Sequence, residues 1–179
     1  MSRSASVEPR VRLFLALPLP EEVVAAVAEW QRRELRERIV APENLHVTLA
    51  FLGSRLEREL PAIVAELGEA ARSAARPRLA VTGYRETRSV GMLVLADEEE
   101  RAAALAVDVH ERLERLGVYR REQRPWLPHL TVVRFRERPR LRPPLPELQF
   151  SPSEAAAYLS RLHPSGARYE VLESVPLGG

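Results

Sequence analysis

Two histidines each stand two residues before a threonine in apolar, β-rich runs. These are His46-Val47-Thr48 within Leu45–Gly53 and His129-Leu130-Thr131 within Pro128–Phe135. Imidazole titrates near neutral pH, so one ring can hold a proton while the other accepts one. Placed on opposite sides of a phosphorus atom, two such rings supply the base and the acid of an in-line displacement. The threonine hydroxyl beside each can donate to a non-bridging phosphate oxygen, where charge builds in the transition state. No metal is needed for this chemistry. A cyclic phosphodiester requires little more, because water attacks while the leaving oxygen is protonated. A single His-x-Thr says little, since a strand histidine usually serves packing. Two copies in matching strands say much more.

Alternate residues of a strand share a face. His46 and Thr48 therefore point one way, and Leu45, Val47, Leu49 and Phe51 point the other way into a core. In the second strand His129 and Thr131 share a face, with Leu130, Val132 and Arg134 opposite. Parity thus places Arg134 away from the histidine unless the strand ends or bulges first. Phe14 and Phe51 are expected in the core, and Trp126 and Tyr119, near the second motif, are candidates for base stacking or for loop anchoring.

The surrounding elements supply a frame for both motifs. Residues 11–17 form a short apolar run closed by Pro18 and Pro20, which predicts a buried strand. Glu21 and Glu22 then open an amphipathic helix over about 21–38, with Val23, Val27 and Trp30 at helical spacing. A loop marked by Pro42 leads to the first motif strand, which stops at Gly53. A second helix is expected over about 61–75. Strands follow at 78–84 and 90–96. Asp97 is placed to cap a helix over 98–116, with Glu98, Glu99 and Glu100 in its first turn and Gly117 at its end. The second motif strand, 129–135, comes after a loop, and 139–146 is a proline-rich connection. Residues 154–162 fit helix or strand by pattern. Residues 169–175 alternate as a strand, and Pro164-Ser165-Gly166 is a turn, so the two segments are read as a hairpin. Strand 11–17, helix 21–38 and strand 45–52 repeat in order as strand 90–96, helix 98–116 and strand 129–135. A duplicated unit related by a pseudo-twofold axis would turn both histidines toward one central cleft.

Composition narrows the alternatives. The chain has 179 residues and no cysteine, which removes disulfides, thiol catalysis and Cys-ligated zinc. It has no lysine, so all 27 basic residues are arginine. A Walker A lysine and a lysyl-adenylate nucleophile are thereby excluded. Neither motif has a carboxylate at ligand spacing, so no metal site and no cofactor is expected. No apolar run is long enough for a membrane span, and a cytoplasmic monomer is expected, with residues 1–10 as a disordered tail and 11–179 as one domain. Net charge is only +2, yet eight arginines fall between Arg120 and Arg142 against Glu122 and Glu137. That patch suits a polyanion and raises a second reading, a non-catalytic RNA-binding module. His110, in the charged stretch His110-Glu111-Arg112, is expected to face solvent, and His163 to lie in a turn.

Four stretches together resemble the 2H phosphoesterases: Arg12–Leu17, Pro42–Gly53, Pro128–Arg134 and Ser160–Leu172. Within that superfamily they are similar to the bacterial RNA 2′,3′-cyclic phosphodiesterases, also called 2′-5′ RNA ligases. The resemblance implies an α+β, bilobal fold in which two antiparallel-rich sheets flank a central cleft with helices packed outside. It implies that His46 is the proton donor to the leaving 3′ oxygen and His129 the base that activates water, giving a 2′-phosphomonoester. It further implies that Thr48, Thr131 and Arg134 hold the phosphate, that RNA ends or cyclic nucleotides are the substrate, and that the reverse reaction is a weak 2′-5′ ligation without ATP. A small cyclic nucleotide or an ADP-ribose cyclic phosphate is the alternative substrate.

Overall fold

The computed structural model describes residues 8–36 and 38–178. Of the expected tail, only Glu8–Arg10 lies within the described residues. Two sheets flank a cleft, and every strand pairing in them is antiparallel. The first has the order β3-β1-β8-β9, built from β1 (Arg10–Pro18), β3 (His46–Leu56), β8 (Glu154–His163) and β9 (Gly166–Pro176). The second has the order β2-β6-β5-β4-β7, built from β2 (Arg38–Ile39), β4 (Leu79–Glu86), β5 (Val90–Asp97), β6 (His129–Arg134) and β7 (Gln149–Phe150). The segment at 154–162 is thus a strand, and it forms the expected hairpin with β9.

The repeat expected from element order is present in space. β3 lies beside β1 as β6 lies beside β5, with α1 (Glu21–Glu34) and α3 (Arg101–Arg115) as the connecting helices. The third helix, α2 (Leu60–Ser73), packs on α3 and on β8 and β9. β1 runs Leu13 to Leu17 fully buried because one face meets the helical layer and the other lies beneath the cleft. One apolar core, including Val27, Ile63, Leu67, Leu105 and Leu130, continues beneath both sheets.

Some boundaries differ from expectation. α1 ends at Glu34, not at 38, and the short strand β2 takes Arg38 and Ile39, pairing with Arg134 and Val133. β2 and β7 are two-residue strands made by tertiary pairing, so no local periodicity announces them. The acidic triplet is not the first turn of α3. Glu99 and Glu100 have φ of +57° and +53°, and the helix starts only at Arg101. Asp97 still caps it from farther back, its carboxylate accepting from the amides of Ala102 (3.0 Å) and Ala103 (2.8 Å).

The departure that matters most for the cleft is a pair of β-bulges. Along β3, Ala16 faces Thr48 and Leu15 faces Ala50, so Leu49 has no opposite residue. Along β6, Met92 faces Thr131 and Gly91 faces Val133, so Val132 has none. Each bulge falls three residues after its histidine. An extra residue reverses side-chain parity beyond it. Leu49 and Ala50 are consequently both buried, as are Val132 and Val133. Gly91 sits opposite the second bulge, and a Cβ there would collide with the Tyr84 hydroxyl and a Val133 methyl.

Candidate active site

A 3₁₀ turn at Pro42–Asn44 delivers the chain to β3. Its last residue does two things. The Asn44 side-chain amide donates to the Ala167 carbonyl at 3.0 Å, tying the turn to the β8–β9 hairpin. The Asn44 carbonyl lies 2.7 Å from His46 Nδ1, so Nδ1–H donates to it. That bond fixes the ring and leaves Nε2 as the working nitrogen. His46 Nε2 lies 3.0 Å from Thr48 Oγ1. With neutral His46 the hydroxyl donates to Nε2. With protonated His46 the direction reverses and the hydroxyl hydrogen is free for another acceptor.

The second motif repeats the device. His129 Nδ1 lies 2.8 Å from the carbonyl of Leu127, again two residues upstream. Trp126, one residue earlier, donates its indole N–H to the Thr48 carbonyl at 3.0 Å, so the loop before the second motif is pinned to the strand of the first. Loop anchoring is therefore what Trp126 does. Tyr119 lies with its ring 5.0 Å from that of His110.

Both histidines and both threonines line one cleft of about 140 Å³. Arg134 and Phe51 join them. The bulge after Thr131 turns Arg134 to the histidine face, which resolves its parity. The matching bulge after Thr48 does the same for Phe51, which corrects its expected place in the core: it is 53% exposed. Phe51 and Arg134 are thus equivalent positions of the repeat, five residues after their histidines, one apolar and one cationic. Arg12 lies over the Phe51 ring at 5.5 Å.

The two imidazoles differ in their surroundings. His46 stands among aromatic rings: Phe14 at 4.8 Å, Tyr169 edge-on at 5.5 Å and Tyr158 at 6.2 Å between centroids. Phe14, 2% exposed, is buried as expected, but beneath His46 and between Tyr158 and Tyr169. These three aromatics were not singled out as site residues from sequence, although Tyr169 lies in the tail stretch that carries the resemblance. Burial pushes the His46 pKa down from 6.5 to about 4, and the nearby charges of His129 and Arg134 push the same way against the Asn44 carbonyl. His129 has no aromatic neighbour of this kind among the described residues.

Other candidates fall elsewhere. His110 is not solvent-facing: it is 7% exposed, and its Nε2–H donates to the Leu49 carbonyl at 2.7 Å. His163 closes the β8–β9 turn against Ser165 Oγ at 2.8 Å. The arginine patch contracts. Arg121 pairs with Glu114, Arg124 with Glu122 and Arg138 with Glu86. What converges is a groove of about 650 Å³ lined by Arg38, Arg136 and Arg138. Arg38 is the cross-strand partner of Arg134. Among the described residues no group of three or more His, Cys, Asp or Glu could hold a metal ion, and no helix is long and apolar enough to cross a membrane.

Comparison with known proteins agrees with this fold. Residues 19–163 match the sequence model of the 2′-5′ RNA ligase superfamily. The RNA 2′,3′-cyclic phosphodiesterase of Thermus thermophilus is 37% identical, over 94% of this chain and 91% of that protein. The crystal structure of TT0787 of Thermus thermophilus superposes with a TM-score of 0.81 at 36% identity, covering 94% of this chain and 98% of the other. That of Escherichia coli LigT complexed with NADP+ gives 0.82 at 25% identity, covering 96% and 100%. The chain belongs to the 2′-5′ RNA ligase superfamily of 2H phosphoesterases.

Proposed function

We propose that the protein opens RNA-terminal 2′,3′-cyclic phosphates to 2′-phosphomonoesters, without a metal, by two-histidine acid–base catalysis. The observation that carries this reading is one cleft lined by two imidazoles, each anchored at Nδ1 by a carbonyl two residues upstream, with a threonine beside each and one arginine. His129 Nε2 takes a proton from water as the water oxygen bonds to phosphorus. The bond from phosphorus to the 3′ oxygen breaks, and His46 Nε2–H gives that oxygen its proton. Thr48, Thr131 and Arg134 hold the non-bridging oxygens as charge builds on them. The names of the relatives and the NADP+ complex of LigT, a ligand that carries a 2′-phosphate, support this substrate class. With a 5′-hydroxyl in place of water as the nucleophile, the same steps give a weak 2′-5′ ligation. The test is incubation with a 2′,3′-cyclic-phosphate oligonucleotide in EDTA. A 2′-phosphate product is expected; no turnover, or a 3′-phosphate product, would refute the reading.

The acid role has a condition. At neutral pH the free protein holds His46 unprotonated, because its pKa is near 4. A phosphodiester anion in the cleft offsets the charges of His129 and Arg134 and favours the imidazolium. Substrate binding therefore loads the acid. By linkage, anion affinity rises as pH falls through the bound-state pKa and levels off below about 4. In an NMR titration the His46 ring should titrate well below 6.5 in the free protein and move upward with saturating inorganic phosphate. A His46 pKa unmoved by phosphate would remove it as the acid.

The arginine groove favours a second reading, RNA binding that does not need the histidines. Substituting Arg38→Glu with Arg136→Glu is expected to weaken an oligonucleotide several-fold in a salt-dependent way, and to leave a mononucleoside 2′,3′-cyclic phosphate unaffected. Equal losses on both ligands would mean that the groove is not where the RNA body lies. Oligonucleotide affinity that survives in the His46→Ala, His129→Ala double variant, in a protein with no turnover to lose, would favour the binding module.

A further inference from the structure

Each bulge is met by a buried polar side chain from the opposite half of the repeat. Gln31, on α1, is 0% exposed and donates through Nε2 to the Val132 carbonyl at 2.7 Å and to the Val40 carbonyl at 3.0 Å. His110, on α3, donates through Nε2 to the Leu49 carbonyl at 2.7 Å. Leu49 and Val132 are the residues skipped at the two bulges that follow the histidines. α1 connects the strands of the first sheet yet reaches a strand of the second, and α3 does the converse. Both side chains sit in apolar helix faces, four residues after Val27 and Ala106, where burying a polar group costs stability unless it serves a partner. The Gln31 Oε1 atom has no partner at all. Retaining an amide with one orphaned atom in such a place makes sense only through what its nitrogen does.

A bulge interrupts the ladder at its extra residue, and a buried carbonyl left there must find another donor. The Val132 carbonyl also accepts from the Val40 amide at 3.0 Å. The Leu49 carbonyl has the His110 imidazole. Replacing Gln31 or His110 takes one donor from the carbonyl of the extra residue, which weakens the bulge against the regular ladder. Removing one bulge returns the strand to simple alternation, and that turns Arg134 or Phe51 out of the cleft.

We propose that Gln31 and His110 are positioning residues, which act by holding the two bulges that aim Arg134 and Phe51 into the cleft. The inference rests on the reading of the cleft as a phosphoesterase site, with Arg134 on the phosphate and Phe51 beside the rest of the substrate. It makes the two residues functional counterparts across the pseudo-twofold axis despite their different chemistry.

Double-mutant cycles test it, because a residue that acts through another loses its effect when that other is absent. Two readouts are used: the calorimetric Kd for inorganic phosphate, and kcat and KM on a 2′,3′-cyclic-phosphate oligonucleotide. Gln31→Met is expected to weaken phosphate about tenfold and to cost nothing further in an Arg134→Ala background, while adding fully to Phe51→Ala. His110→Leu is expected to raise KM for the oligonucleotide, to spare phosphate affinity, and to cost nothing further in Phe51→Ala. His110→Gln, which keeps an N–H donor, should restore most of the loss. Losses that add in every background, or that follow only the melting temperature, would overturn the proposal. If Gln31→Met does not fold, the His110 series decides alone. If the wild type binds phosphate but turns over nothing, the assigned function fails while the phosphate cycle on Gln31 and Arg134 still decides the positioning.

Discussion

His46→Ala and His129→Ala are each expected to lower kcat on a 2′,3′-cyclic-phosphate oligonucleotide by about 10²- to 10⁴-fold, the usual contribution of a placed acid or base. KM should change far less, because Thr48, Thr131 and Arg134 remain to hold the phosphate. The double variant should lose little more than either single one, since acid and base serve one displacement and act as a unit. Additive losses would mean that the two rings work in separate steps. The two single variants can also be told apart by the leaving group. A ribose oxygen is a poor leaving group and needs the proton from His46. A nitrophenolate needs none. On a nitrophenyl phosphodiester His46→Ala should approach the wild-type rate while His129→Ala stays impaired. The opposite pattern would exchange the roles of acid and base. This experiment breaks a symmetry that the paired motifs leave open, because each histidine has the same kind of anchoring bond and a threonine two residues after it.

The paired motifs, the order of elements and the repeat were legible in the sequence because each rests on local pattern: alternation, helical spacing, turn residues. Alternation also placed Thr48 with His46 and Thr131 with His129. It failed for Phe51, and could not decide Arg134, because strand parity holds only while the ladder is regular. The bulges carry a faint signature, since Leu49-Ala50 and Val132-Val133 put two apolar residues in succession where alternation expects one. A short buried strand looks the same, so only pairing with β1 and β5 distinguishes them. His110 was misplaced for a related reason. Its flanks, Glu111 and Arg112, are charged, but its spacing from Ala106 and Leu113 puts it on the buried stripe of α3. Helical position outweighs the character of sequence neighbours, which lie on other faces.

The aromatic surroundings of His46 were the least legible, being assembled from Phe14 on β1, Tyr158 on β8 and Tyr169 on β9, three strands brought together only by the sheet. They make the second large prediction. Phe14→Ala should cost about 3–5 kcal/mol of stability, as for other buried phenylalanines. Phe14→Leu should cost less, since much of the apolar volume stays. Both should raise the His46 pKa, because burial is the first cause of its depression and water would reach the ring. The sign for stability follows. With a folded pKa near 4 and an unfolded one near 6.5, the unfolded chain binds the extra proton between those values. The wild type is therefore most favoured above 6.5 and loses up to about 3 kcal/mol from this group as pH falls to 4. In Phe14→Leu that acid-side loss should shrink, and in His46→Ala it should vanish. Denaturant melts of the three proteins at pH 4.5 and 7.5 measure this directly. An unchanged pH dependence in His46→Ala would show that other groups cause the acid sensitivity. The expected pattern would mean that the aromatic floor keeps His46 neutral at a cost in stability at low pH, so that the ring takes up its proton only when a phosphate anion shares the cleft.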